Sequence, residues 1–184
     1  MLTLLYLLVF LLLSFLISFI TYQVYIKIFH PGAVYYPSAN STIVRMLKLA
    51  RVGPGDTLID LGSGDGRILI AAAQLGAAAI GYEINPFLVR RSRCLIRQAK
   101  LEKLATVYRK SFWTADFSRA NVVTVYLFPH LMNRLQLLLE KKIKHSTRLV
   151  VNDYPFTKLK PVKRHHQIFL YNFGGQKSKP ITKI

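Results

Sequence analysis

The sequence predicts an α/β domain, with a mostly parallel sheet covered by helices on both faces, preceded by one transmembrane helix. Two observations predict the domain: short apolar runs alternate with helical patterns from residue 57 onward, and a glycine-rich turn follows the first run. The transmembrane helix is predicted because residues 1–26 contain no charged side chain. A chain of 184 residues has room for one domain and a short appendage.

The N-terminal apolar segment is long enough to cross a bilayer, which takes roughly 20 residues. A cleavable signal peptide would carry a basic N-terminal region and small residues at its cleavage site. Here no basic side chain precedes Lys27, and the segment 18–22 that would have to be cleaved is bulky. A buried core helix this long and uniform would be unusual in a chain of this size. We therefore expect an uncleaved anchor over 1–26, a linker over 27–37, the α/β domain over 38–173 and a basic flexible tail over 174–184.

Basic residues follow the predicted anchor but do not precede it, beginning with Lys27, Arg45, Lys48 and Arg51. The positive-inside rule then places the domain on the cytoplasmic side of a single-pass membrane protein, or on the matrix side in an organelle. The single Cys94 cannot form an internal disulfide, which agrees with a reducing compartment. Within a helix, this cysteine is better explained as structural than as a nucleophile.

Charge is distributed unevenly along the chain, whose net charge is +18. Residues 53–84 hold one basic residue, Arg67, against four acids, whereas every other stretch is basic. This contrast predicts a cationic ligand in the acidic window and an anionic surface facing the rest of the chain. Next to an anchor, that surface is more simply lipid headgroups of the bilayer than nucleic acid, which we do not expect as a partner.

Turn and cap residues delimit the elements of the domain. For example, Asn85-Pro86 places a capping side chain and a proline at the start of a helix. Helices are expected over residues 38–50, 67–75, 85–100 and 130–143. Strands are expected over 57–61, 77–82, 106–108, 122–127, 148–151 and 167–173.

The glycine-rich turn has the spacing Gly62-x-Gly64-x-Gly66, which differs from the G-x-G-x-x-G of dinucleotide sites. Glycines at such a turn let the backbone approach a ligand closely. A pyrophosphate favours a helix N-terminus without nearby anions, and Asp60 and Asp65 would repel it. The same acids favour a ligand with an ammonium and a sulfonium, and S-adenosylmethionine carries both.

Glu83 supplies a second part of the predicted site. It lies 21 residues after Gly62, at the end of the second predicted strand. A carboxylate there can accept hydrogen bonds from both hydroxyls of a ribose. A solvated loop acid is the competing interpretation, which this position and spacing disfavour. Ile84, the next residue, could cover one face of an adenine.

Two segments resemble the first and second motifs of class I S-adenosylmethionine-dependent methyltransferases: LIDLGSGDGR (58–67) and GYEINP (81–86). More narrowly, Tyr36-Pro37, GYEINPFLVRRSR and NVVTVYLFP resemble the membrane-associated protein-lysine methyltransferases that modify the c-subunit of ATP synthase and the adenine nucleotide translocase. The resemblance covers about residues 34–173. It implies a Rossmann-like class I methyltransferase sheet.

The resemblance implies which residues hold the cofactor. Asp60 and the backbone of the glycine turn would hold the methionine moiety, and Glu83 the ribose. Ser111 stands where many members have an Asp that bonds the adenine amino group, so adenine binding would depend more on Ile84 and Phe112. The implied cofactor residues are Asp60, Gly62, Ser63, Gly64, Asp65, Gly66, Glu83, Ile84, Ser111 and Phe112.

On the acceptor side, the end of the fourth strand lies beside the transferred methyl in this family and here contains Tyr126 and Pro129. A lysine acceptor must first lose a proton, and an apolar aromatic pocket lowers its pKa from about 10.4. We expect the Tyr126 hydroxyl to orient the amine and Asp153 to accept its proton. Aromatic residues at 128, 154 and 156 are candidate walls; Phe128 and Phe156 are equally explained as core residues, and Asp153 as a loop acid.

The predicted function is therefore N-methylation of a lysine in a membrane protein. A phospholipid headgroup amine or an RNA remains an alternative acceptor. A non-catalytic membrane-tethered binding protein with a degenerate pocket is a further alternative, suggested by Ser111. No metal site is expected, because the adjacent His165 and His166 would point to opposite faces of a strand and no acid or cysteine cluster accompanies them.

Overall fold

The computed structural model describes residues 2–29, 36–143 and 146–173. The chain forms two compact units, residues 1–34 and residues 35–184. Helix α1 (Leu2–Phe29) makes up the described part of the first unit. It includes residues 27–29, which the sequence assigned to the linker. The rest of that linker up to residue 35, and the predicted tail 174–184, lie outside the described residues.

Helix α1 is apolar on all sides. Its segment Leu2–Tyr25 has a mean hydropathy of 2.7 and no side chain buried within the chain, so it is not a core helix. At about 1.5 Å per residue, a helix of this length spans the roughly 30 Å of a hydrocarbon core. By length and composition, α1 can cross a membrane.

The second unit alternates strands and helices, as the sequence predicts. Its elements are α2 (Asn40–Leu49), β1 (Thr57–Leu61), α3 (Arg67–Gln74), β2 (Ala78–Glu83), α4 (Pro86–Gln98), β3 (Ala105–Arg109), a 3₁₀ turn (Phe112–Thr114), β4 (Val122–Val125), α5 (Pro129–Lys142), β5 (Arg148–Asn152), β6 (Lys163–His165) and β7 (Ile168–Asn172).

The strands form one seven-stranded sheet in the order β3-β2-β1-β4-β5-β7-β6. The first five strands in this order are parallel, and β7 runs antiparallel to both β5 and β6. In the register of the central strands, Asp60 lies between Gly81 and Thr124. The carboxyl ends of β1, β2, β4 and β5 therefore meet at one edge, where open α/β sheets bind ligands.

Apolar side chains cover both faces of the sheet. On one face, α2, α3 and α4 pack through residues such as Met46, Leu69 and Ile96. On the other face, α5 packs through Leu135 and Leu139, together with Phe117 from the segment before β4. The predicted α/β sheet with helices on both faces is confirmed.

Two local predictions differ from the structure at the far edge of the sheet. Strand β6 was not predicted, because all three of its side chains are exposed and polar and give no apolar signal. The prediction that His165 and His166 point to opposite faces of a strand is wrong. The strand ends at His165, His166 turns the chain with φ 52°, and the two rings lie 4.6 Å apart.

Candidate active site

The glycine turn leaves the end of β1 and doubles back toward β2. Gly62, Gly64 and Gly66 all have positive φ, at 78°, 55° and 82°. A residue with a Cβ would be strained at each, which explains why glycine stands at alternate positions. The backbone N–H groups of Gly62 and Ser63 both donate to the carbonyl of Tyr82, at 2.9 and 3.1 Å.

Close packing beneath this turn fixes its height above the sheet. A Cβ on Gly66 would lie 2.1 Å from the Ser92 hydroxyl of α4, and a Cβ on Gly81 would lie 2.5 Å from the Ser63 hydroxyl. The Ser63 side chain is thus buried against β2. We expect Ser63 to contribute to ligand binding through its backbone.

Glu83 is built into the same turn. Its carboxylate accepts one hydrogen bond from the Gly64 N–H at 3.0 Å and one from the Asn85 N–H at 2.8 Å. Asn85 in turn caps α4 by accepting from the Phe87 N–H at 2.9 Å. Each carboxylate oxygen of Glu83 keeps a further acceptor position, so the pair can still receive two hydroxyls.

Asp60 is a buried carboxyl, only 3% exposed. The Thr124 hydroxyl donates to it at 2.7 Å. Burial raises the pKa of Asp60 to about 7, and the nearby Glu83 carboxylate raises it further, while the Thr124 hydrogen bond lowers it. Two carboxylates in a poorly solvated site favour a cationic ligand, which fits the ammonium and sulfonium of the predicted cofactor.

Asp65 has a different environment from Asp60. Both of its oxygens accept from the Arg67 guanidinium, at 2.9 and 2.8 Å, and Arg91 lies 3.9 Å away. The prediction that its side chain acts as a free anion for a cationic ligand is wrong, because Arg67 neutralises it. Arg67 also donates to the carbonyl of Ser38 at 2.8 Å, which fastens the chain before α2 to the glycine turn.

The predicted adenine side lies along the ends of β2 and β3. Ile84 is 39% exposed at the end of β2 and is free of the core. After β3, the Ser111 hydroxyl accepts from the Trp113 N–H at 3.4 Å and caps the 3₁₀ turn. This turn stacks Phe112 against Trp113, with ring centroids 4.7 Å apart. Ser111 therefore has a structural task in addition to any contact with an adenine.

On the acceptor side, the structure brings Tyr126 and Asp153 together. They follow the adjacent strands β4 and β5, and the Tyr126 hydroxyl is hydrogen-bonded to Asp153. Burial first, and then the Asp153 carboxylate, raise the pKa of Tyr126, which stays a neutral phenol. Asp153 has a φ of 65°, a conformation that is uncommon outside glycine and is found at functional sites. The Asn152 amide donates to its carboxylate at 3.3 Å.

The other predicted acceptor residues have identifiable structural tasks. Pro129 is the first residue of α5, where its fixed φ suits a helix start. Phe156 is a core residue, 4% exposed and in edge-on contact with Tyr171. Phe128, by contrast, is 37% exposed, and its ring stacks with His130.

Four residues near the site were missed from the sequence: Tyr36, Arg67, Thr124 and Asn152. Thr124 offered a usable signal, since it is the polar residue within the apolar strand Val122–Val125. The other three act through partners that are set by the turn or by strand pairing, so the sequence gives no local sign of them.

The turn, the buried Asp60 and the tethered Glu83 suit a ribonucleoside with a cationic amino-acid tail. This chemistry defines an S-adenosylmethionine-dependent methyltransferase. Known proteins agree: the chain matches the ANTKMT methyltransferase domain family over residues 60–163, more than half of its length. The chain belongs to this family, and its fold is that of the class I methyltransferases.

Individual relatives support the assignment. Over 157 residues the chain is 35% identical to the lysine N-methyltransferase of Homo sapiens that is named for the c-subunit of ATP synthase, covering 82% of this chain and 67% of that protein. It is 32% identical to the Protein-lysine N-methyltransferase of Saccharolobus islandicus, covering 80% and 98%. A crystal structure of an RNA methyltransferase from Salinibacter ruber in complex with S-adenosyl-L-homocysteine has a TM-score of 0.77 and 31% identity, covering 80% of this chain and all of that one.

The protein is therefore an enzyme, and its cofactor is S-adenosylmethionine, as predicted. The alternative of a non-catalytic binding protein is not supported. Ser111, which suggested it, lies in a well-formed 3₁₀ turn beside an intact glycine turn.

Proposed function

We propose that this enzyme methylates the side-chain amine of a lysine in a membrane protein. The observation that carries the proposal is the pairing of the Tyr126 hydroxyl with the Asp153 carboxylate, at the same sheet edge as the glycine turn. Support comes from the relatives, which include an Adenine nucleotide translocase lysine N-methyltransferase of Mus musculus, 33% identical over 129 residues. Helix α1 supports the membrane location.

Within this proposal, the cofactor lies along the ends of β1, β2 and β3. Asp60 meets its ammonium, the backbone of the glycine turn supports the methionine moiety, and Glu83 accepts from the ribose hydroxyls. The residues proposed to contact it are Asp60, Gly62, Ser63, Gly64, Asp65 through its backbone, Gly66, Glu83, Ile84, Ser111 and Phe112. The bound cofactor supplies an electrophilic methyl group on a sulfonium.

The chain's own residues prepare the acceptor nitrogen. A lysine ammonium has no lone pair, so it must lose a proton before the nitrogen can be methylated. Asp153 is placed to accept that proton. Tyr126 donates to Asp153 and so fixes the carboxylate, while the exposed rings nearby reduce solvation of the ammonium and favour the neutral amine.

Helix α1 is proposed to be an uncleaved single-pass anchor with the methyltransferase domain on the cytoplasmic side, or the matrix side in an organelle. Basic residues occur after the helix and not before it, which supports this orientation. An anchored enzyme meets acceptors in the same membrane at a high effective concentration.

The test uses the full-length enzyme, methyl-labelled S-adenosylmethionine and membranes from cells that lack the enzyme. We expect label in protein, recovered as methylated lysine after acid hydrolysis, and none with Glu83→Ala. Asp153→Asn should lower kcat by about 10²- to 10⁴-fold, the usual contribution of a positioned general base, with unchanged cofactor affinity. Asp116→Asn is the control, because that loop carboxylate is exposed and accepts from the Ser118 N–H.

An RNA acceptor is the second candidate, since the Salinibacter ruber structure is named an RNA methyltransferase and the chain carries a net charge of +18. Treating the labelled reaction with ribonuclease, protease or lipid extraction separates the acceptors. Label that is released by ribonuclease, or that enters the lipid extract, would contradict the protein-lysine proposal.

A further inference from the structure

The chain immediately before α2 is held against the glycine turn. Ser38 is 8% exposed, and its carbonyl accepts from Arg67, whose guanidinium also pairs with Asp65 of the turn. Ala39 is extended, with φ −64° and ψ 145°. Residues 36–39, which we call the strap, therefore occupy a fixed position beside the cofactor turn.

At the start of the strap, Tyr36 contacts the acceptor side of the site. Its ring meets Tyr126 edge-on, with centroids 6.2 Å apart. Yet the Tyr36 side chain is 73% exposed, so this contact buries little apolar surface. A core role does not account for an aromatic ring in this position.

Tyr36 is also part of a convergent polar group. The Tyr126 hydroxyl is close enough to interact with the hydroxyls of Tyr36 and Tyr154 as well as with the carboxylate of Asp153. Tyr154 is itself 40% exposed. Three phenol rings and one carboxylate thus line an open part of the surface. Aromatic faces attract alkylammonium groups, and a carboxylate adds charge complementarity.

We infer that Tyr36 is an acceptor-positioning residue, whose ring forms a wall of the pocket that receives the lysine side chain. The inference rests on the proposed function, and it adds a residue from outside the α/β sheet to the acceptor site. The strap connection through Arg67 fixes this wall relative to the cofactor turn. Because the Tyr36 ring contacts Tyr126 and has no contact with the glycine turn among the described interactions, its loss should affect the acceptor and spare the cofactor.

The test compares Tyr36→Ala and Tyr36→Phe with Tyr108→Ala in the full-length enzyme. Tyr108 is a matched control, 44% exposed and 5.9 Å from the Tyr82 ring, on β3 with two strands between it and β4. Labelled S-adenosylmethionine and increasing amounts of enzyme-free membranes give kcat and the KM for the acceptor. Titration calorimetry gives the Kd for S-adenosylmethionine.

We expect Tyr36→Ala to raise the acceptor KM about 3- to 30-fold, as for loss of one cation–π wall, with a cofactor Kd within twofold of wild type. Tyr36→Phe should retain most of the wild-type KM, and Tyr108→Ala should match wild type. An unchanged KM in Tyr36→Ala, or a cofactor Kd that rises in parallel with KM, would overturn the inference. The identity of the labelled wild-type product reports separately on the proposed function, so the two can fail independently.

Discussion

At the scale of single residues, Asp60 couples cofactor binding to stability. Its pKa is raised to about 7 in the folded chain, whereas an unfolded Asp has a pKa of about 3.9. Between these values the folded state binds a proton that the unfolded state has released. Stability is therefore highest in acid and falls as pH rises from about 4 to about 7, by an amount on the order of 4 kcal/mol.

Asp60→Asn should separate these two effects. Because the amide does not ionise, the cofactor-free variant should melt at a higher temperature than wild type at pH 7.5 and lose the decline between pH 4 and 7. It should also bind S-adenosylmethionine about 10- to 100-fold more weakly, since a charge-assisted contact is lost. Thermal unfolding at several pH values and titration calorimetry measure both effects. A wild-type melting temperature that does not fall over this pH range would contradict the prediction.

At the scale of elements, the predictable features are those that depend on neighbouring residues. The glycine spacing predicted the turn after β1, and Asn85-Pro86 predicted the start of α4 within one residue. The proximity of Tyr126 and Asp153 was also predictable, because the carboxyl ends of parallel strands share an edge. Strand β6 and the Arg67 contact to Ser38 depend on pairings between distant segments, and no local pattern encodes them.

One such long-range pairing connects three elements through Arg148 at the start of β5. Its guanidinium donates to the carbonyls of Ala50 and Arg51 at the end of α2, at 2.6 and 3.0 Å, and pairs with Asp56 before β1. This places the end of α2 against the sheet without help from the helix's own capping groups.

Arg148→Ala should destabilise the enzyme by about 2 kcal/mol, because hydrogen bonds from a charged group are lost and two carbonyls lose their partner. The discount for partial exposure is included, since 27% of the Arg148 side chain is exposed. Urea unfolding measures the change. Arg45→Ala is the control: Arg45 is exposed and its side chain bonds only within α2 among the described contacts, so we expect a change under about 0.5 kcal/mol. Equal losses in the two variants would contradict the role assigned to Arg148.

At the scale of the whole molecule, the acids are largely occupied inside the domain while the excess of basic residues remains outside. Asp56 and Asp65 pair with arginines, and Asp60 and Glu83 are buried at the cofactor site. The arginines of α4, by contrast, are exposed at positions 90, 91, 93 and 97. A cationic surface on a domain that follows an apolar helix is suited to anionic lipid headgroups, at about 1 kcal/mol for each basic residue near the membrane.

This membrane location can be tested at the centre of α1. Leu12→Arg combined with Ser14→Asp places two charges near the middle of the segment Leu2–Tyr25, each costing about 2.5–3.5 kcal/mol to insert. We expect the wild-type chain to resist extraction by alkaline carbonate and the double variant to appear in the soluble fraction. The control Tyr25→Arg should stay in the membrane, because a charge at the end of the span can reach the interface.

The same variant separates membrane location from cofactor chemistry. Every residue proposed to bind S-adenosylmethionine lies in the second unit, so the released double variant should keep wild-type affinity for the cofactor. Methylation of membrane protein should fall sharply, because enzyme and acceptor no longer share a surface. Intact-mass measurement completes the test: a mature wild-type chain that lacks residues 1–26 would show that the segment is a signal peptide and would overturn the anchor.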